Sequence, residues 1–484
     1  MHAPPLFEHL ALAVYSLMAW AAQPLLRAKL ARRARAEPLY AEHMGERFGY
    51  YADMADVAPQ DPGPLVWLHA VSLGETRAAA ILLPALRARI PGMRLLLTHG
   101  TATGRAEGAK LLQAGDVQTW LPWDAPGAVA RFLTRFKPRM GLLLETEVWP
   151  NLVAACQARH IPLLLVNARL SEKSLRQAQR LAWLARPAYR GLHAAYAQTE
   201  ADALRLARLG THIDAVLGNV KFDAAPNAAQ LAQGRVWRAG MLRPVVLLAS
   251  SREGEEALFL EKIMAVRRIE RGYTATKNVA SNGMDHGALP VQWLIVPRHP
   301  QRFDDVAALI VQQGFSVSRR STWGSAPPSS AVAASAQDAT PPAAQDGAAA
   351  DCIWLGDSLG EMALYYGLAS AALLGGSFEK LGGQNLIEAA ACACPVIMGP
   401  HTFNFAQAAE LAQAAGAAFE VEDMAHALER AAQLLGQGMG SGMGDSLGSS
   451  AELQQAQAAA LAFVAAHSGA AEQTALRVAA VLAE

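Results

Sequence analysis

Leu65–Ala80 reads LVWLHAVSLGETRAAA, and the two ends of that stretch follow different rules. LVWLHA is a short apolar run of the kind that forms a buried strand, SLG supplies a turn, and ETRAAA opens a helical pattern that continues to Arg89. A strand that feeds a helix through a Gly-containing turn is the first half of a βαβ unit. In open α/β sheets ligands sit beyond the carboxyl ends of the strands, which puts Glu75, at the opening of the helix, on the ligand side, with His69 and Ser72 just before it. Taken alone, a Glu in the first helical turn serves more often as a cap or a partner of the helix dipole.

The same rhythm extends outward in both directions. Val66–Ala70, Arg94–Thr98, Gly141–Leu144, Ile161–Val166, Ala194–Gln198 and Ala215–Gly218 read as strands, with Arg77–Arg89, Gly127–Phe136 and Leu152–Arg159 as helices between them. It starts again at Pro244, with strands expected at Val245–Ala249, Trp293–Val296, Ile353–Leu355, Ala371–Leu374 and Val396–Met398. Glu255–Arg271 and Leu386–Ala391 are helical, and Met424–Leu435 and Ala451–Leu482 close the chain as helical patterns. The expectation is an α/β protein of two doubly wound parallel-sheet domains, joined near residues 223–243 and facing a cleft. Gly272–Leu289, Ser321–Ala350 and Gly436–Ser450 are rich in small and polar residues and read as surface insertions.

Composition narrows the function classes. Forty-two Lys+Arg balance forty-two Asp+Glu, so the global basic excess of a nucleic-acid-coating protein is missing and an anionic partner must be met by a local patch. Cys156, Cys352, Cys392 and Cys394 fit neither a zinc spacing nor a disulfide framework, which points to a reducing compartment. Leu10–Leu26 carries no formal charge, and its seventeen residues rise about 26 Å as a helix, near the thickness of a hydrocarbon core. Arg27, Lys29, Arg32, Arg33 and Arg35 follow at once, a cluster that favours the cytoplasmic side. The expectation is a single N-terminal anchor in the inner membrane over residues 1–35, although Gln23 and Pro24 interrupt the run and leave an interfacial or a buried helix open.

Further motifs stand at strand ends. They are THGTATG (Thr98–Gly104), ETEVWPN (Glu145–Asn151), VNARLS (Val166–Ser171), GNVKFD (Gly218–Asp223), ASSREGEE (Ala249–Glu256), VPRHPQRF (Val296–Phe303), GDSLGEM (Gly356–Met362) and GGSFEKLGGQNLIEAAACACPVIMGP (Gly375–Pro400). In this order and spacing, and together with HAVSLGE, they resemble the bacterial transferases of 3-deoxy-D-manno-octulosonic acid (Kdo) that act in lipopolysaccharide synthesis. The resemblance covers nearly the whole chain outside the three insertions.

It implies a GT-B glycosyltransferase with an acceptor-binding domain over 36–235 and a CMP-sugar-binding domain over 236–484, moving Kdo from CMP-Kdo to a lipid A precursor with inversion. Glu75 matches the family's general base, and the chemistry agrees, because an attacking hydroxyl must lose its proton as the glycosidic bond forms. A single carboxylate suffices for inversion by direct displacement. Arg298 and His299 fall in the donor motif and suit a phosphodiester and a sugar carboxylate. Gly375, Gly376, Gly382 and Gly383 permit close backbone approach, Gly376 and Ser377 are expected to contact the donor, and a helix starting near Gln384 aims its positive end at it. Asn385 and Glu388 lie three apart on that helix, where the family pattern has Asn on phosphate and Glu on the ribose. Asn219 and Lys221 are expected to reach the donor from the hinge side, and Glu145 and Glu147 to assist the acceptor or hold the base, with a purely structural role as the alternative. Arg252 stands where many relatives carry His.

No Asp-x-Asp motif marks a strand end, and a CMP-sugar has one phosphate, so transfer without a metal or other cofactor is expected. Two competing readings remain: a transferase or epimerase acting on another nucleotide sugar, and a non-catalytic membrane scaffold that keeps the fold. Displacement of bound donor by CMP but not UDP separates the first, and loss of transfer in Glu75→Ala with unchanged folding separates the second.

Overall fold

The computed structural model describes residues 6–51, 63–241, 243–277, 291–324, 326–328, 352–436 and 450–484. The three expected insertions lie largely outside these residues. Among the exceptions are the helix Glu255–Lys277, which runs into the first of them, and Trp323, which is buried between Trp237 and Trp354.

Unit one comprises Met1–Asp223 with His467–Glu484. Its strands are β1 (Leu65–His69), β2 (Arg94–His99), β3 (Val117–Trp120), β4 (Met140–Leu144), β5 (Leu163–Ala168), β6 (Ala194–Ala197) and β7 (Ile213–Val216). They form one parallel sheet of order β3-β2-β1-β4-β5-β6-β7. Every residue of β1, β4 and β5 is buried, as expected for strands covered on both faces. Alternation divides the core: Val66 and Leu68 pack with the helix Leu73–Arg89, while Leu65 and Trp67 pack on the other face with Phe132. Gly141 makes room for the indole, since a Cβ there would lie 2.6 Å from Trp67. The chain leaves β1 toward β2 and returns on its other side at β4, so the strand order reverses between β1 and β4.

Unit two, Ala224–Ala466, repeats the plan. Its strands β8 (Val245–Ser251), β9 (Gln292–Pro297), β10 (Ser316–Arg319), β11 (Cys352–Leu355), β12 (Ala371–Leu374), β13 (Val396–Met398) and β14 (Ala418–Glu420) form a parallel sheet of order β10-β11-β9-β8-β12-β13-β14. Here the reversal falls between β8 and β12. The strands that pattern reading missed, β3, β10 and β14, are all sheet edges, where short and partly polar sequences such as SVSR suffice.

Two expectations change. Ala451–Leu482 is two helices, Ala451–His467 and Ala470–Ala483, broken at Gly469, whose φ of 108° suits a residue without a Cβ. The Asp223 carboxylate accepts from the N–H groups of Gly469 and Ala471, and the last helix contributes Ala471, Ala475 and Val478 to the core of unit one. The division therefore lies at 223/224, short of the expected 235/236, and the C-terminal helix belongs to the first unit.

At the N-terminus, no single helix among the described residues is long and apolar enough to cross a membrane. The apolar run is split between Leu6–Ala21 and Gln23–Ala36, which are bent by 48° and satisfy the length and composition of a span only when taken together. Pro24 lacks the N–H that would continue the hydrogen-bond ladder across the break. The first helix docks on unit one through polar contacts. Ser16 donates to Asn151 Oδ1 at 2.7 Å, Arg190 pairs with Glu8 at 2.6 Å, and the Tyr15 hydroxyl is bonded to Asp124. Its outer face is apolar, with Leu17 and Trp20 each 65% exposed.

Candidate active site

Glu75 stands in the first turn of the helix Leu73–Arg89, beyond the carboxyl end of β1. Ser72 caps that helix, accepting from the Glu75 N–H at 3.4 Å, and Glu75 reaches back so that its Oε2 accepts from the Val71 N–H at 2.7 Å. The capping role anticipated for such a residue is thus real. The same carboxyl group is also half-buried, and burial, with help from the charges of Glu145 and Glu147, pushes its pKa up to about 7 against the Val71 and Ser72 hydrogen bonds. A group near the working pH is matched to accepting and releasing a proton. His69 is fully buried with Nδ1 at 2.9 Å from Thr98 Oγ1, and burial drives its pKa down to about 3, so it is a neutral part of the sheet.

Glu145 follows β4, the neighbour of β1, which brings it and Glu147 into the electrostatic range of Glu75. Glu145 is buried with a left-handed φ of 62°, strain that a non-glycine residue rarely bears. Lys221 Nζ donates to Glu145 Oε1 at 3.1 Å, and Arg169 lies 3.9 Å from the other oxygen. Lys221, expected at the donor, is therefore tied to the carboxylate group of unit one, and Asn219 beside it donates to Gln198 Oε1 at 3.1 Å. Burial raises the pKa of Glu147, and a hydrogen bond from Trp149 opposes the rise only in part. Pattern reading passed over Asp124, which caps the helix Pro150–Gln157 by accepting from Asn151 N at 3.0 Å and Leu152 N at 2.8 Å, and so anchors the Glu145–Trp149 loop. Arg47, unlike the basic cluster of residues 27–35, is buried against Trp120 and donates to the carbonyls of Leu121 and Gly100.

In unit two the loops after β8, β9 and β12 meet. Arg298 donates its backbone N–H to Ser251 O at 3.0 Å and Nε to Gln384 Oε1 at 3.1 Å. Partial burial and the cations Arg252 and Arg298 lower the pKa of His299 beside it. Gly376 has a φ of 73°, and a Cβ on Gly375 would lie 2.4 Å from the Ser250 carbonyl, so the turn requires both glycines. Asn385 caps a helix that starts at Leu386, with its Oδ1 accepting from Ile387 N at 3.2 Å, and half-buried Glu388 sits in the first turn.

Two expectations for this loop are revised. The Ser377 hydroxyl is fully buried, donates to Leu374 O at 2.5 Å and accepts from Gly399 N at 2.8 Å, so it holds the loop together. The N–H of Gly376 is taken by Glu255 at 2.7 Å. The motif REGEE is visible in the sequence, but nothing local marks Glu255, since two of its three partners, Gly376 and Phe378, lie more than 120 positions away.

A cavity of about 1460 Å³ lies at the amino ends of the unit-one strands among Arg89, Arg94, Arg131 and Phe136. That is the opposite edge of the sheet from Glu75, and the chemistry is therefore assigned to the strand ends instead. Among the described residues no three side chains converge as metal ligands.

Two successive parallel-sheet units, each with its polar cluster where the strand order reverses, define a GT-B-type fold. A UDP-GlcNAc 2-epimerase from Neisseria meningitidis, solved with UDP-GlcNAc, shares it at 13% identity and a TM-score of 0.50, over 87% of this chain and 99% of that one. Residues 42–224 match the family described as 3-deoxy-D-manno-octulosonic-acid transferase (kdotransferase). The Kdo transferase of Bordetella pertussis is 44% identical over 95% of this chain and 97% of its own, and that of Haemophilus influenzae 29% over 87% and 90%. The chain belongs to the Kdo transferase family and is a glycosyltransferase.

Proposed function

We propose that this enzyme transfers Kdo from CMP-Kdo to a lipid A precursor with inversion, and that Glu75 is the base. The observation that carries the reading is a half-buried carboxyl at the switch point of unit one with its pKa pushed to about 7. The acceptor hydroxyl gives its proton to Glu75 as its oxygen bonds to the anomeric carbon of Kdo, and CMP departs with the electron pair of the broken bond. The leaving group is a monophosphate, so its charge can be met by side-chain cations. Arg298 and His299 are assigned to that task, and Asn385 and Glu388 to the nucleotide. Glu145 and Lys221 hold a compensated charge pair next to the base. Asn219 is assigned to the support of that group.

The helices Leu6–Ala21 and Gln23–Ala36 are assigned to attachment at the inner membrane, with the catalytic units in the cytoplasm. Supporting this are an outward apolar face, an inward polar one and the exposed cations Arg27, Lys29, Arg32, Arg33 and Arg35. A helix whose inner face is committed to protein fits a placement in the interface better than a crossing.

The test is incubation of the purified protein with a CMP-Kdo-generating system and a lipid A precursor, followed by mass analysis. A product heavier by one or more Kdo residues supports the reading. An unmodified acceptor, or transfer from a UDP-sugar instead, overturns it.

A further inference from the structure

One side chain joins the loop after β8 to the loop after β12. Glu255 is fully buried, and its two carboxylate oxygens accept from three backbone N–H groups: Gly376 at 2.7 Å and Arg252 at 2.9 Å on Oε2, and Phe378 at 3.2 Å on Oε1. Converging backbone N–H groups make a concavity suited to an anion, and here the anion is part of the chain itself. The surroundings leave little slack. Gly375 packs on the Ser250 carbonyl, Gly383 N donates to Gly376 O at 2.7 Å, and Ser377 is pinned at both sides of its hydroxyl. The adjacent Glu256 has other partners, a two-point pair with Arg302 at 2.7 and 3.0 Å and the Ser251 hydroxyl at 2.7 Å. The two acids of one motif thus divide the work. Glu255 fixes the glycine turn and the backbone of Arg252, and Glu256 fixes the segment that follows Arg298 and His299.

We propose that Glu255 is a positioning residue of the donor site: by filling the N–H concavity it bars the donor's phosphate from the backbone of the glycine turn and leaves the donor's anionic groups to the guanidinium groups of Arg252 and Arg298. The proposal rests on the CMP-Kdo reading above. It differs from a merely structural role in which kinetic constant it moves. An amide at position 255 offers one acceptor and turns an N–H toward a backbone N–H, so the turn shifts and the donor loses its fit while the acceptor side is untouched.

The experiment compares the full-length wild type with Glu255→Gln and Glu255→Asp, measuring KM for CMP-Kdo, KM for the lipid A precursor, kcat, and CMP affinity at equilibrium. The expected result for Glu255→Gln is a donor KM raised about tenfold or more, CMP affinity weakened in parallel, and an acceptor KM unchanged. Glu255→Asp keeps the charge and recovers part of the donor affinity, and it serves as the reporter if the Gln variant does not fold. Unchanged donor KM and CMP affinity in the folded variants overturn the proposal, as does a fall in kcat and melting temperature with KM values intact. A wild type that transfers Kdo and binds CMP while the variants match it overturns this proposal alone. A wild type that does neither overturns the donor reading and this inference with it.

Discussion

The two switch points are built on one backbone plan and treat their carboxylates in opposite ways. At the end of β8 and β12, both acids are fully buried and saturated, Glu255 by three backbone N–H groups and Glu256 by Arg302 and Ser251. At the end of β1 and β4, Glu75 has one backbone N–H and one hydroxyl, and the nearby cation, Lys221, is spent on Glu145. Burial raises the proton affinity of Glu255 as well as that of Glu75, so what separates them is occupancy: both oxygens of Glu255 are held by the turn, whereas half-buried Glu75, with one N–H and one hydroxyl, keeps acceptor capacity for a substrate proton. The difference assigns acid–base work to unit one and anion recognition to unit two.

The sharpest test of that division is Glu75→Gln. The amide keeps the shape and can still accept from Val71 N, but it cannot take a proton, so kcat should fall by about 10²–10⁴-fold while CMP affinity is unchanged. Turnover within a few-fold of wild type would break the comparison at its centre. The converse variant is Arg298→Ala, which should weaken CMP binding by about 1.5–3 kcal/mol and spare the pH profile of kcat. If CMP affinity is the same in Arg298→Ala as in wild type, the cations of unit two have some other purpose.

The ionised state of Glu75 should also be visible in stability. Its folded pKa of about 7 lies above the ordinary carboxylate value, so the folded state binds the proton more tightly than the unfolded chain. Stability from this group is full below the unfolded pKa and is lost as pH rises toward and through 7. Glu75→Gln removes that loss, and its melting advantage over wild type should therefore grow between pH 5 and pH 8, reaching on the order of 1–2 kcal/mol. A difference that stays flat across the range would mean the carboxyl is not held in a costly state.

Much of this was legible in the sequence, for identifiable reasons. The buried strands β1, β4, β5 and β8 announce themselves as apolar runs because both of their faces are covered, and Glu75 is placed by the strand–turn–helix grammar around it. The edges β3, β10 and β14 carry no such run. Ser377 in a glycine turn looks like a phosphate ligand until its hydroxyl is found between Leu374 and Gly399. The return of the last helix to unit one depends on Asp223, a residue whose partners lie more than 240 positions downstream. Local patterns report burial and turns well, and long-range hydrogen-bond partners hardly at all.

The smallest expected effect tests how the acids of unit one act on one another. Burial is the main cause of the raised Glu75 pKa, and the charge of Glu145 adds to it. Glu145→Gln removes that negative charge and leaves Lys221 without its ion-pair partner, and both changes favour an ionised Glu75. The acidic limb of the kcat/KM profile should therefore move down from about 7, by roughly half a unit, because the charge contribution is secondary to desolvation. The strained φ at position 145 is kept by Gln, so the loop has no new backbone reason to move. Measuring the profile from pH 5 to 9 in both proteins decides the matter. A limb that moves upward would mean that Lys221, released from Glu145, has turned away from the base and the group has become more deeply desolvated. A limb that does not move would mean that burial alone sets the proton affinity of Glu75 and that Glu145 serves only to shape the loop.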